Sequence, residues 1–175
     1  MNTSILFTPD QIRDQVDLLA GEINQHYAET KEDDKILIVG IMMGAIPFMS
    51  DLTRKLVFPL QTDWMRVSSY GNARTPSERV SLRKEPDHDP VNRRVLIVDD
   101  IIDTGGSMVF LYDYFRKKGA REIRSAVFLD KKERRKYNIA CDHKGFDVPN
   151  HFLGGYGMDG PGASMEHLPY IAIVE

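Results

Sequence analysis

Val95-Leu-Ile-Val-Asp99-Asp100-Ile-Ile-Asp103-Thr104-Gly105-Gly106-Ser107-Met108 is the stretch on which the fold turns. Its first half, entered from Arg94 and running to Val98, is short, apolar and β-branched, the pattern of a strand buried on both faces. Ser107 to Lys118 follows as a helix, with Met108, Leu111, Tyr112 and Phe115 on one face. Lys117 and Lys118 suit its last turn and Gly119 its stop. Ile123 to Leu129 then returns as a strand. Strand, helix and strand within about 35 residues make a βαβ unit, so the sheet is expected to be parallel and the class α/β.

Working outward, Lys35 to Ile41 is a second buried strand, and Gln61 to Val67 alternates like a third. Gly44 to Leu56 reads as a helix between them. At the start, Thr8-Pro9-Asp10-Gln11 has the form of a capping box. Ile12, Val16, Leu19, Ile23 and Tyr27 continue it at helical spacing to about Ala28. Tyr70 to Arg93 is a polar stretch with Gly71, Pro76, Pro86 and Pro90, expected to be a long mobile loop over residues 70–92. Tyr170 to Val174 is a closing strand.

The 175 residues suit one domain. Hydrophobic residues at 42% and charged residues at 28% describe a chain able to bury a core. The net charge of −3 offers no general attraction to nucleic acid or to an anionic membrane. The longest apolar run, Ile36 to Met43, is too short to span a bilayer. The single cysteine, Cys141, excludes an internal disulfide framework, and with no leader evident at the start the expected location is cytoplasmic.

The chemistry concentrates after the buried strand. Gly105 and Gly106 permit a tight turn, Thr104 and Ser107 add hydroxyls, and the next helix points its N-terminus at the same spot, a cradle for a phosphate. No lysine follows the glycines, so this is not a P-loop. Asp99, Asp100 and Asp103 crowd beside the cradle although carboxylates repel phosphate. They make sense for a ligand that also brings sugar hydroxyls, Mg²⁺ and developing positive charge, as a ribose 5-phosphate does when its C1 becomes oxocarbenium-like. The bland alternative is a charged loop that only caps the helix.

This segment resembles the phosphoribosyl-diphosphate motif of the type I phosphoribosyltransferases. More narrowly, it is similar to that of the hypoxanthine-guanine branch, whose usual form has Glu where Asp99 stands. The resemblance runs nearly the whole chain. It includes Ser68-Ser69-Tyr70-Gly71, Leu129-Asp130-Lys131 before Arg134-Arg135, and Gly145-Phe-Asp-Val-Pro149. Phe152, Gly155-Tyr-Gly-Met-Asp159 and His167-Leu-Pro-Tyr-Ile171 complete it.

The resemblance implies a parallel-sheet core flanked by helices, with a small hood built partly from both termini. It implies transfer of ribose 5-phosphate from phosphoribosyl diphosphate to N9 of hypoxanthine or guanine with Mg²⁺, by a homodimer or homotetramer. Asp103 would be the general base at purine N7. Asp99 and Asp100 would engage the ribose hydroxyls directly or through Mg²⁺, with Thr104, Gly105, Gly106 and Ser107 on the 5-phosphate. Met43, Gly44, Ser69 and Tyr70 fall on the pyrophosphate side. Lys131 would donate to the 6-oxo group, Phe152 would stack on the base, and Leu153 would offer its backbone. Asp159 would stand beside a second Mg²⁺ and the guanine amino group. Apart from the resemblance, Lys131 in its charged run reads as a solvated lysine, and Phe152 as core.

Two positions depart from the pattern: Met43 and Glu166 stand where the family usually carries a basic residue. Losing two cations beside a pyrophosphate favours, as an alternative, a non-catalytic nucleotide sensor on the same fold. A phosphoribosyltransferase for another base is a third reading. Lid arginines Arg74, Arg79 or Arg83, or Mg²⁺ held by Glu166, are candidate compensation. The loop before Met43 is expected to carry a cis peptide at Met42–Met43. Gly155 to Gly160 also satisfies GxGxxG, but too little chain follows for a dinucleotide fold. Asp87-His88-Asp89 reads as solvated loop, and Cys141 as inert.

Overall fold

The computed structural model describes residues 2–69, 80–160 and 164–175. The three buried runs form the middle of a six-stranded sheet. Strands β2 (Ile36–Ile41), β3 (Leu60–Ser69), β5 (Arg94–Ile102), β6 (Glu122–Asp130) and β7 (His143–Asp147) are parallel, and β4 (Val80–Lys84) closes one edge antiparallel to β3, in the order β4-β3-β2-β5-β6-β7. Every residue of β2 is buried, as a strand covered on both faces requires.

The covers are helices. The helix α1 (Pro9–His26) starts at the expected capping box: Gln11 N–H donates to Thr8 Oγ1 at 3.3 Å, and Thr8 N–H to Gln11 Oε1 at 2.9 Å. It packs Ile12, Val16, Leu19 and Ile23 with α2 (Ile46–Thr53) over one sheet face, around Phe48, Leu96 and Phe128. A third helix, α3 (Gly106–Lys117), covers the other face with Met108, Leu111 and Phe115. The second helix is shorter than expected because residues 42–45 turn back toward the strand ends before it begins, and Pro stands in its first turn.

The expected long loop is partly strand. Val80 to Lys84 lies along β3, with Ser68 and Ser81 hydroxyls 2.8 Å apart. Its alternation is short and broken by arginine, which hides the pattern in the sequence. Tyr70, Arg74 and Arg79 lie outside the described residues. Nor is the Asp87-His88-Asp89 segment merely solvated: His88 donates its backbone N–H to buried Asp63 at 2.7 Å and sets its ring Nδ1 2.8 Å from the same oxygen. Burial alone would raise the Asp63 carboxyl, but these bonds and the Trp64 N–H hold it below the ordinary range.

Both ends of the chain meet in a separate antiparallel sheet, β1 (Thr3–Phe7), β9 (Ile171–Val174) and β8 (Phe152–Gly154), in the order β1-β9-β8. This is the expected hood, and it overhangs the carboxyl ends of β2 and β5. Those two strands are neighbours, and from them the chain order runs outward in opposite directions. Open α/β sheets bind their ligands at this switch point.

Candidate active site

Two cavities meet there. The larger, about 620 Å³, is lined by Met42, Asp99, Asp100, residues 103–107 and Lys136. The smaller, about 370 Å³, is lined by Met43, Lys131, Phe152, Leu153, Asp159 and Glu166. Gly44, Asp100, Asp103 and Arg134 belong to both. The residues expected at ribose, phosphate and base thus come together, except Ser69, which contributes backbone on β3, and Tyr70, outside the described residues.

The larger cavity is built as expected. Gly105 takes φ +88° at the cap of α3, a conformation few side chains tolerate, and so turns the strand end into a helix start. The amides of α3's first turn then face the cavity, with Thr104 and Ser107 beside them. Across from them, the Met42–Met43 peptide is cis, as expected, and carries the chain to Gly44. A Cβ on Gly44 would lie 2.0 Å from Asp100 Oδ2, so only glycine permits this approach.

Asp99 Oδ1 accepts the Asp100 N–H at 3.0 Å, and Asp100 Oδ1 accepts the Ile101 N–H at 2.9 Å. Burial pushes the Asp99 carboxyl well up, and the neighbouring Asp100 charge pushes it further. Burial raises Asp100 as well. Two adjacent carboxyls, one buried and one half-buried, held this way fit a divalent cation or a sugar diol. Asp103 stands one turn on, with Oδ1 buried and without a hydrogen-bond partner, and Oδ2 3.1 Å from Arg134 Nη1.

In the smaller cavity Lys131 is buried, against the solvated reading, and its Nζ donates to the His151 carbonyl at 2.8 Å. Burial lowers its pKa, while nearby Asp103 raises it and Arg134 lowers it. Phe152 is 63% exposed on the cavity wall, so it is not core. Leu153 is buried beneath it, and Asp159 is exposed at the rim. Met43, expected on the pyrophosphate side, lines this cavity with Phe152 rather than the larger one. The GxGxxG look-alike is a turn in the hood, with Gly155 bridging to Met158 and no helix following among the described residues.

Sequence reasoning gave no role to three residues that the structure brings to the site. Arg134, Lys136 and Tyr137 line the larger cavity. Arg135 anchors that segment, donating to the Asp103 and Ile139 carbonyls and pairing with Asp130. The signal was present in Arg134-Arg135-Lys136, but a basic run on a short 3₁₀ turn (Lys132–Arg134) carries no periodicity to say which members face inward.

A family model described as a phosphoribosyl transferase domain matches residues 4–160. The chain is 39% identical to the hypoxanthine-guanine phosphoribosyltransferase of Aquifex aeolicus, across 98% of this chain and 94% of that protein. It is 36% identical to the Bacillus subtilis protein of the same name, across 98% and 92%. Among solved structures, a hypoxanthine-guanine phosphoribosyltransferase from Bacillus anthracis superposes with TM-score 0.89 at 31% identity, covering 98% of both chains. The Trypanosoma cruzi hypoxanthine phosphoribosyl transferase gives TM-score 0.91 at 29% identity, covering 98% of this chain and 91% of that one.

Proposed function

The chain belongs to the phosphoribosyl transferase family, and on that footing we propose that it is a purine-salvage enzyme joining ribose 5-phosphate to N9 of hypoxanthine or guanine. The observation that carries this reading is Asp103, which lines both the phosphate cavity and the cavity of Lys131 and Phe152. Phosphoribosyl diphosphate takes the larger cavity, with its 5-phosphate on the amides and hydroxyls of residues 104–107 and its ribose diol toward Asp99 and Asp100. The purine takes the smaller cavity against Phe152, with Leu153 along its edge and the 6-oxo group on Lys131. An ammonium donates to a carbonyl and repels an amino group, which favours 6-oxopurines over adenine.

In the reaction N9 forms a bond to C1 of the ribose. The C1–O bond to pyrophosphate breaks and its electron pair leaves with the pyrophosphate. Asp103 takes the proton from N7, so the purine does not become cationic as it attacks. Burial raises the carboxyls of Asp99 and Asp100, so they suit a cation that restores their charge; they would hold Mg²⁺, which when bound would supply neutralisation for the departing pyrophosphate. Asp159 and Glu166 stand at the rim where a second ion would sit. The same reading takes residues 1–175 as one domain in a cytoplasmic homodimer or homotetramer.

The test is nucleotide formation from phosphoribosyl diphosphate with hypoxanthine, guanine, xanthine or adenine, beside Asp103→Asn. Turnover of 6-oxopurines that falls about 10²–10⁴-fold in the variant supports the assignment. Nucleotide binding without turnover on any base overturns it in favour of a sensor, with Met43 and Glu166 as its mark.

A further inference from the structure

Asp103 meets the solvent side of the site through one oxygen. Oδ1 is sealed in and has no partner, while Oδ2 holds Arg134 Nη1 at 3.1 Å. A purine N7–H that is to reach this carboxylate therefore meets the oxygen that Arg134 already holds, and competes with the guanidinium for it.

Arg134 has somewhere to go. Its side chain is 43% exposed, it ends a three-residue 3₁₀ turn, and it lines the phosphate cavity as well as the base cavity. Among the described residues three aspartates line the larger cavity, against Arg134 and Lys136 as its basic side chains, and Met43 brings no charge to the opposite loop. An arriving phosphate thus offers the guanidinium a second anion, and arginine matches phosphate with two parallel donors. Arg135 and Lys131 do not share this freedom. The first is tied to Asp130 and to the Asp103 and Ile139 carbonyls, the second to the His151 carbonyl.

We propose that Arg134 is a positioning residue that couples the two cavities. Paired with Asp103 while the phosphate cavity is empty, it moves onto the ribose phosphate when that arrives and releases Asp103 Oδ2 to the purine N7–H. The inference rests on Asp103 being the N7 base and adds to that reading a binding linkage between the two substrates.

The test is titration calorimetry with 9-deazahypoxanthine, which keeps the N7–H and cannot be ribosylated, on the whole protein with and without ribose 5-phosphate. Ribose 5-phosphate is expected to tighten the base analogue about three- to fivefold, the size of one partly exposed ion pair. In Arg134→Gln the analogue alone binds equally or more tightly and the enhancement disappears, while Arg134→Lys retains part of it. An undiminished enhancement in Arg134→Gln overturns the proposal and leaves the role of Asp103 standing, as does a wild-type protein without enhancement. Wild-type turnover in Asp103→Asn overturns both. An exposed glutamine at this position does not threaten folding, and an unchanged melting temperature checks it.

Discussion

Lys131 Nζ donates to the carbonyl oxygen of His151 at 2.8 Å, and so a lysine in a run of charged residues is buried at the wall of the base cavity. The carbonyl belongs to the residue before Phe152, so one bond fixes both the proposed donor for the 6-oxo group and the strand that carries the proposed stacking ring. Burial favours the neutral amine, and the bond and the nearby Asp103 charge favour the ammonium.

Replacing Lys131 with Met keeps the length and removes the donor. A charge-assisted hydrogen bond is worth about 1.5–3 kcal/mol, so kcat/KM for hypoxanthine is expected to fall about 10- to 100-fold. Adenine, which gains nothing from the ammonium, loses less. Steady-state rates on the two bases check this, and an equal loss on both would remove Lys131 from base selection.

Gly44→Ala places a methyl 2.0 Å from Asp100 Oδ2. The carboxylate or the loop has to shift, and the ribose diol and the loop amides then lose their common register. Turnover is expected to fall about 100-fold, since an ångström of misplacement costs that much. Its melting temperature should change by only a few degrees, because the contact lies at the site and not in either core. A normal rate in this variant would show that the loop and Asp100 are not held together during the reaction.

Asp99 and Asp100 set stability against function. A carboxyl whose pKa is higher in the fold than in the unfolded chain costs stability as pH rises from its ordinary value, about 3.9, toward the folded one, and the loss persists at neutral pH. Asp99→Asn is therefore expected to raise the melting temperature of the ligand-free protein at pH 7, by about 2–4 °C for each kcal/mol relieved. The gain should vanish near pH 4 and shrink when millimolar Mg²⁺ and phosphoribosyl diphosphate are present, while activity falls. Thermal denaturation across pH 4–8 decides it. A variant less stable than wild type at pH 7 would show that the pair is not strained by burial.

The strands that cross the core were plain in the sequence because apolar residues buried on both faces leave no alternation to misread, as in Ile36 to Ile41 and Val95 to Val98. The phosphate cradle was plain as well, since glycines, hydroxyls and a following helix start are adjacent in the chain. What depends on distant residues was not. The strand Val80–Lys84 owes its existence to the edge of β3 that it covers. His88 looks solvated until Asp63, twenty-five positions away, is seen beneath it. Lys131 and Arg134 share one charged run, yet the first is buried on the His151 carbonyl and the second is exposed and paired with Asp103, partners that lie far off in the chain. Met43 shows the limit from the other side: its place in the loop was legible, but its companionship with Phe152 across the base cavity depends on the hood.

In the hood, β8 has β9 as its partner, and β9 is residues 171–174. By residue 147 the chain has supplied every strand of the core sheet and every described residue that lines the larger cavity. The ring of Phe152 and the carbonyl of His151 acquire their platform only with the last strand. Removing residues 171–175 would therefore leave the larger cavity its whole described lining while taking from Phe152 the strand it pairs with.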